Sequence, residues 1–159
     1  MSMASCSATH ENAEQVDNYP LMFPVYTDVT IPVNIAPLNF LIRDVRITKM
    51  ETVLTINGEE ENAMTVTNSG NVVHFDGDAW KELLQKAAGK KVSVQIYSRN
   101  KDNVWTQYKP LTWEVVGDSI DPYLTYQLID PDYKVWSNIQ IKQRCVENFR
   151  EKTLVDHNL

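Results

Sequence analysis

The sequence lacks the features that mark several large classes of protein. Its two cysteines, Cys6 and Cys145, are too few for a closed zinc site, which needs four ligands. It has no run of about 18 apolar residues, so no segment is predicted to cross a membrane as a helix. The formal net charge is −6 and the basic runs are short, which argues against nucleic acid as a partner because phosphate binding needs a concentrated basic surface.

Length and composition predict one globular domain with a core of its own. The chain has 159 residues, of which 43% are hydrophobic and 23% are charged, and these proportions are ordinary for a folded domain. A disulfide between Cys6 and Cys145 would tie an N-terminal tail to a distant segment. The simpler interpretation is that Cys145 is a small buried apolar residue.

Residues 1–18 have the composition of a flexible tether, since they are small and polar and show no hydrophobic period. Within them, Met3-Ala4-Ser5-Cys6 places small residues directly before a cysteine, as a lipoprotein signal peptidase requires. Cys6 is therefore a candidate for lipid attachment. The apolar stretch of a signal peptide is missing, so either Met1 is an internal start within a longer precursor or the match is a coincidence in an unmodified tail.

Residues 19–119 carry the signals of a β-sandwich. Four prolines in 19–38 forbid a helix or a central strand and predict an extended segment along a sheet edge. A β-meander is predicted next, with a hairpin turn at Asn57-Gly58. Later strands alternate between apolar and polar side chains. About seven short strands predict an immunoglobulin-like or fibronectin-like sandwich. The predicted strands are 40–45, 51–56, 63–67, 72–75, 91–98, 104–108 and 111–116.

One helix is predicted to be inserted among these strands. Asp76 is placed to cap its free backbone amides, and Phe75 and Trp80 are placed as a hydrophobic staple. Apolar residues then recur at helical spacing as far as Ala87, and Gly89 is a natural stop. A calcium loop is the alternative for the aspartates here, but it lacks the further oxygen ligands of a real site.

An aromatic platform is predicted on the outer face of the sheet. If Tyr97 and Trp105 share that face with Gln95 and Gln107, they combine coplanar rings with amide donors, which is the chemistry that stacks on sugars. The alternative is that these aromatic side chains close the edge of the core.

Residues 120–159 form a C-terminal aromatic strap, rich in tyrosine and broken by two Asp-Pro steps. A short helical turn with an apolar side is predicted for Tyr123, Leu124, Tyr126 and Leu128. Trp136 and the residues near Ile139 are predicted to extend like a strand. A strap of this kind is expected to pack on another surface through Tyr123, Tyr126, Tyr133 and Trp136.

The sequence offers little support for catalysis. His74 is the only histidine of the body, and no serine or cysteine nucleophile occupies a suggestive turn near it. The acidic residues fall mostly at turns and helix starts, so no pair is indicated for glycoside hydrolysis. We therefore predict a protein that is not an enzyme and has no metal site.

Two stretches resemble a known family. They are Thr27–Phe40 (TDVTIPVNIAPLNF) and Ile120–Phe149 (IDPYLTYQLIDPDYKVWSNIQIKQRCVENF). Together they resemble the N-terminal region of envelope lipoproteins of Gram-negative anaerobes, called TolB-like β-propeller proteins or cytochrome c biogenesis-type proteins. In that family a Cys-x-x-Cys-His haem motif and a β-propeller follow. This chain ends at Leu159 before that point, and Cys145 stands alone.

The resemblance implies a role and a location. The expected role is a non-catalytic scaffold or docking domain of a periplasm-facing lipoprotein, attached to the outer membrane only through lipid on Cys6. The expected partner is a downstream β-propeller domain or an envelope protein. No cofactor is expected in this chain, and haem c would belong to the downstream segment. The alternative is a module that binds carbohydrate or peptide, with a glycan as its partner.

Overall fold

The computed structural model of the protein describes residues 10, 12–57, 63–128 and 139–156. Within these residues the fold is mostly β, with three sheets, none of them closed, and one helix. The helix is α1 (Gly77–Lys86). The strands are β1 (Glu14–Gln15), β2 (Met22–Phe23), β3 (Val29–Pro32), β4 (Phe40–Ile42), β5 (Ile47–Ile56), β6 (Met64–Ser69), β7 (Val72–Val73), β8 (Lys91–Asn100), β9 (Trp105–Gln107), β10 (Leu111–Val116), β11 (Tyr123–Leu128), β12 (Gln140–Cys145) and β13 (Glu151–Asp156).

The large sheet is built around β8. On one side β8 pairs along its whole length with β5, which pairs in turn with β6. On the other side its first half pairs with β10 and its second half with β9. β3 lies parallel to β10, and β1 lies parallel to β9. The predicted alternation of β8 is confirmed, because Val92, Val94 and Ile96 are buried on one face of the strand.

The small sheet, β2-β4-β7, supplies side chains to the same hydrophobic core as the large sheet. Its buried side chains are Met22, Phe40, Ile42 and Val73. The sequence predicted that β4, β5, β6 and β7 form one meander. This is wrong, because β4 pairs with β7 in the small sheet and not with β5. Alternation along a strand indicates which face is buried but does not identify the neighbouring strand. The β5–β6 hairpin is confirmed, although Gly58 lies outside the described residues.

Helix α1 begins as the sequence predicts. The Asp76 carboxylate accepts hydrogen bonds from the backbone amides of Asp78 at 3.1 Å and Ala79 at 3.0 Å. Phe75 contacts Trp80, with ring centroids 5.2 Å apart. Trp80 also packs edge-on against Trp113 at 5.8 Å, so the helix closes the core against the large sheet.

Two indole groups fix the proline-rich segment against this core. The Trp80 indole donates to the Ile35 carbonyl at 2.9 Å, and the Trp113 indole donates to the Tyr26 carbonyl at 2.8 Å. Both carbonyls belong to the segment predicted to be extended, and its strand β3 lies at a sheet edge. The indole groups therefore satisfy backbone acceptors that this part of the chain does not use in a β-ladder.

The C-terminal residues form a third sheet, β11-β12-β13, which is antiparallel throughout. The helical turn predicted for Tyr123, Leu124, Tyr126 and Leu128 is wrong, because these residues lie in strand β11. Leu124, Tyr126 and Leu128 have the spacing of one side of a strand, whereas all four residues together suit a short helix, and the backbone pairing with β12 decides between the two. The strand predicted near Ile139 is confirmed by β12.

The predicted tether of residues 1–18 also needs correction within its described part. Glu14–Gln15 form β1, which extends the large sheet beside β9. The amide of Val16 donates to the carbonyl of Gln107 at 3.0 Å. A polar segment of this kind has no hydrophobic period, but main-chain hydrogen bonds to a sheet edge do not require one.

Candidate functional site

The C-terminal sheet, β11-β12-β13, contributes nothing to the hydrophobic core. Not one of the described residues between 117 and 156 is buried, whereas every core residue lies between 22 and 115. The exposed large apolar side chains of this region are Ile120, Tyr123, Leu124, Leu128, Ile141, Phe149, Leu154 and Val155. Such a concentration of exposed apolar side chains is a mark of an interaction surface.

Both faces of the C-terminal sheet carry these side chains. The register places Tyr123, Ile141 and Val155 on what we call the first face, and Leu124 and Leu128 on the second face. Leu154 is the extra residue of a bulge opposite β12. The first face holds an open groove of about 740 Å³. It is lined by Tyr123, Gln143, Cys145, Asn148, Arg150, Glu151 and Lys152.

Polar contacts stiffen the second face. The Tyr126 hydroxyl donates to a carboxylate oxygen of Glu151, and Lys142 Nζ lies 3.0 Å from the other oxygen. The hydrogen bond from Tyr126, followed by the one from Lys142, lowers the pKa of Glu151. The same contact with Glu151 raises the pKa of Tyr126. Each strand of the C-terminal sheet supplies one of these three groups, so the cluster ties the strands together across their faces.

We call the large sheet, the small sheet and helix α1, which share one hydrophobic core, the core layers. The C-terminal sheet is attached to them through a small set of hydrogen bonds. Asn34 Nδ2 donates to the Ile120 carbonyl at 2.8 Å and to Glu147 Oε1 at 3.2 Å, while Asn34 Oδ1 accepts from the Ile120 amide at 3.0 Å. The amide of Ala36 also donates to the Val146 carbonyl at 2.7 Å. At about 1 kcal/mol net for each hydrogen bond, this attachment is modest.

The edges of the C-terminal sheet add a second kind of binding capacity. Within the described residues, β11 and β13 each pair with β12 alone. Their outer edges therefore present backbone donors and acceptors that another strand can join.

The predicted aromatic platform lies on the outer face of the large sheet, but its geometry differs from the prediction. Tyr97 pairs with Gln107, and Arg99 pairs with Trp105, so the side chains of Gln95, Tyr97, Trp105 and Gln107 share one face. The rings of Tyr97 and Trp105 are not coplanar, because His10 is inclined by 11° to the first and by 73° to the second. Gln95 Nε2 already donates to the Tyr108 carbonyl at 2.6 Å.

His10 occupies the space between these rings, which sequence reasoning missed. Its ring stacks on Tyr97 with centroids 4.1 Å apart and meets Trp105 edge-on at 4.5 Å. Its Nε2 lies 2.8 Å from Glu51 Oε1. Nothing in the polar sequence around His10 signals this contact, because the pocket is assembled from strands far along the chain.

Of the remaining predicted residues, Cys145 lines the groove of the C-terminal sheet, His74 takes no part in either surface, and three lie outside the described part of the chain. Cys6, Tyr133 and Trp136 are outside it. Cys145 is half-buried and free, rather than buried as predicted, because it lines the open groove. His74 is exposed.

Within residues 10, 12–57, 63–128 and 139–156, no group of three or more His, Cys, Asp or Glu side chains is placed to hold a metal ion. In the same part of the chain, no helix is both long and apolar enough to cross a membrane.

Within its described residues this is a mostly β protein whose C-terminal sheet exposes apolar side chains on both faces. Comparisons with protein-family models, with curated proteins and with solved structures found no match. The resemblance described from the sequence therefore stays a prediction.

Proposed function

We propose that this chain is a non-catalytic docking domain whose C-terminal sheet packs against a second β-rich domain. The observation that carries the proposal is that apolar side chains on both faces of this sheet are exposed and none of its described residues is buried. A three-stranded sheet normally needs a packed hydrophobic face to be stable. The second domain supplies that packing.

The attachment of the C-terminal sheet supports the same role. Hydrogen bonds through Asn34 and Ala36 hold the sheet in a defined position beside the core layers, without burying its apolar residues. The arrangement presents a preformed surface, so a partner does not have to order the strands when it binds. The free edges of β11 and β13 allow the partner to add a strand as well.

The partner we propose is a β-propeller domain that follows this region in a longer protein. The exposed apolar side chains of the C-terminal sheet would pack against the outer strands of that domain. The family resemblance of Thr27–Phe40 and Ile120–Phe149 supports this choice. In the same proposal the core layers are an immunoglobulin-like or fibronectin-like sandwich, and lipid on Cys6 anchors the protein at the periplasmic side of the cell envelope. Haem c belongs to the segment between this domain and the propeller.

A dye that binds exposed apolar surface tests the proposal. We expect anilinonaphthalene sulfonate to bind the 159-residue chain, and Leu124→Lys and Val155→Lys to reduce that binding. Val45→Lys is the matched control, because Val45 is 89% exposed but lies outside the C-terminal sheet. The product of the complete reading frame is expected to bind less dye than the 159-residue chain. Equal binding by the two proteins, or by all three variants, would overturn the docking role.

The alternative role, binding of carbohydrate or peptide at the platform, has a less direct fit to carbohydrate. A sugar ring needs the open face of an aromatic side chain, and in this structure His10 covers the face of Tyr97. Peptide binding is favoured by a separate observation. The N-terminal segment itself binds there, with His10 stacked on Tyr97 and β1 paired with β9.

A further inference from the structure

The outer face of the large sheet contains a pocket for a flat ring, which we call the ring slot. Glu51, Tyr97 and Trp105 form it, and His10 fills it. Tyr97 supplies a stacking face, Trp105 supplies an edge-to-face contact, and Glu51 supplies a hydrogen-bond acceptor. The partial burial of Tyr97, together with the negative charge of Glu51, raises the pKa of this tyrosine. A stacking face beside a carboxylate is the chemistry that recognises an imidazole or imidazolium ring.

Basic side chains hold the Trp105 ring in place. Arg99 Cζ lies 5.7 Å and Lys49 Nζ lies 6.0 Å from the ring centroid. Both belong to the paired strands β5 and β8, which are the centre of the large sheet. Of the residues that form the ring slot, Glu51 and Tyr97 are paired with each other on these two strands, and Trp105 lies on the shorter neighbouring strand β9, so the slot is built on strands rather than on a loop.

The N-terminal segment, of which the structure describes residues 10 and 12–16, reaches the ring slot from a neighbouring sheet edge. The amide of Ala13 donates to the His10 carbonyl at 3.0 Å, which closes a turn between the ring and the strand. Two residues, Glu14 and Gln15, then pair in parallel with β9. Their side chains are exposed. A single ring and a short main-chain ladder therefore anchor the segment, and such an attachment opens locally at low cost.

The fit of His10 leaves polar atoms unsatisfied. Among the described residues, His10 Nδ1 and Arg99 Nε are buried without a hydrogen-bond partner. A buried polar group without a partner is unfavourable. A segment that brings the same ring with one further acceptor or donor would satisfy what His10 does not, so it would compete with the N-terminal segment.

We propose that the ring slot and the edge of β9 form a binding site for an extended peptide segment that carries a histidine side chain. The N-terminal segment is its internal occupant and is displaced when a peptide of the same chemistry binds. The main-chain ladder of β9 supplies affinity, and the ring slot selects the side chain four positions before the first paired residue. This site shares no residue with the C-terminal sheet, so failure of one proposal would leave the other unaffected.

The test uses the full chain with His10→Ala, which empties the ring slot. The probe is a synthetic peptide with the sequence of residues 7–17, and its matched control has alanine in place of the histidine. The readout is the signal of the Trp105 indole N–H group in a nitrogen–proton correlation spectrum, assigned with Trp105→Phe. We expect saturable shifts with the histidine peptide. Binding by the alanine peptide, and by the unsubstituted chain, is expected to be weaker by roughly tenfold or more, since a tethered competitor acts at about millimolar effective concentration.

Two further variants keep the test sharp. Val16→Pro removes the amide that donates to Gln107 and is expected to strengthen peptide binding by loosening the segment while His10 remains. His74→Ala changes an exposed histidine elsewhere and is expected to behave as the unsubstituted chain. The proposal is overturned if His10→Ala shows no saturable shift or if both peptides bind equally. It is also overturned if a neutral oligosaccharide such as maltohexaose shifts Trp105 while the peptide does not.

Discussion

The side-chain amide of Asn34 forms two reciprocal hydrogen bonds with the backbone of Ile120, which lies 86 residues further along the chain. Its oxygen accepts from the amide of Ile120, and its nitrogen donates to the carbonyl, so Asn34 pairs with that residue as a neighbouring strand would. A third bond reaches Glu147. One short side chain therefore joins the residues just before β11 and just after β12, at one end of the C-terminal sheet, to the rest of the fold.

We expect Asn34→Ala to loosen this attachment. The substitution removes three hydrogen bonds, each contributing about 1 kcal/mol net, so local opening of residues 120–122 and 146–147 is expected to become about 3 kcal/mol easier. Hydrogen exchange at the Ile120 and Val146 amides measures this directly. Core amides such as that of Val94 serve as the internal control. Equal acceleration throughout the chain would mean that Asn34 supports the whole fold rather than the attachment.

The cluster of Tyr126, Lys142 and Glu151 predicts a pH dependence in the C-terminal sheet. Its interactions lower the pKa of Glu151 from 4.5 in the folded state, so they stabilise the sheet above about pH 4.5 and are lost as the pH falls through the lowered value. Tyr126 behaves in the opposite sense. Its pKa is raised above 10.0, so its contribution is present below that pH and is lost as the pH rises through the raised value.

Carboxyl titration by nuclear magnetic resonance checks this cluster. Tyr126→Phe removes the hydroxyl that contributes most to the shift, and we expect the pKa of Glu151 to rise toward its ordinary value. Tyr123→Phe is the matched control, since it removes a hydroxyl from the same strand without a bond to Glu151. An unchanged Glu151 pKa in Tyr126→Phe would contradict the assigned cause.

The cap of helix α1 gives a prediction about global stability. Asp76→Ala removes an acceptor for two backbone amides, and loss of such a cap typically costs about 1 kcal/mol. Urea unfolding at neutral pH measures the change. Asp118→Ala, at an exposed position, is the matched control and is expected to remain within about 0.5 kcal/mol of the unsubstituted chain. Similar values for the two variants would mean that the helix start is fixed by Trp80 packing instead.

The parts of the fold that sequence reasoning predicted are those with local physical signals. The alternation of 91–98 and the cap at Asp76 each follow from a few neighbouring residues, and the structure confirms both. The mostly β fold, which was also predicted from local patterns along the strands, is confirmed as well. The pairing of β4 with β7 instead of β5 depends on contacts distant in sequence, which alternation along a strand does not encode.

The candidate sites were harder to predict because each depends on what covers a surface. Tyr97 and Trp105 were expected to share an outer face, and they do, but the ring that fills the space between them comes from a polar tail. The segment around Tyr123 was singled out because it is rich in tyrosine. Strand β11 became evident only from its pairing with β12, and its exposure only from the absence of any layer over it in the described structure.

Backbone hydrogen exchange of the C-terminal sheet tests the docking role most directly. The 159-residue chain is compared with the product of the complete reading frame, amide by amide, in β11, β12 and β13. We expect the edge amides of β11 and β13 to exchange more slowly in the larger protein, by about tenfold or more, while those of β5 and β8 keep their rates. Equal exchange in β11 and β13, or a reading frame that encodes no domain after Leu159, would contradict it.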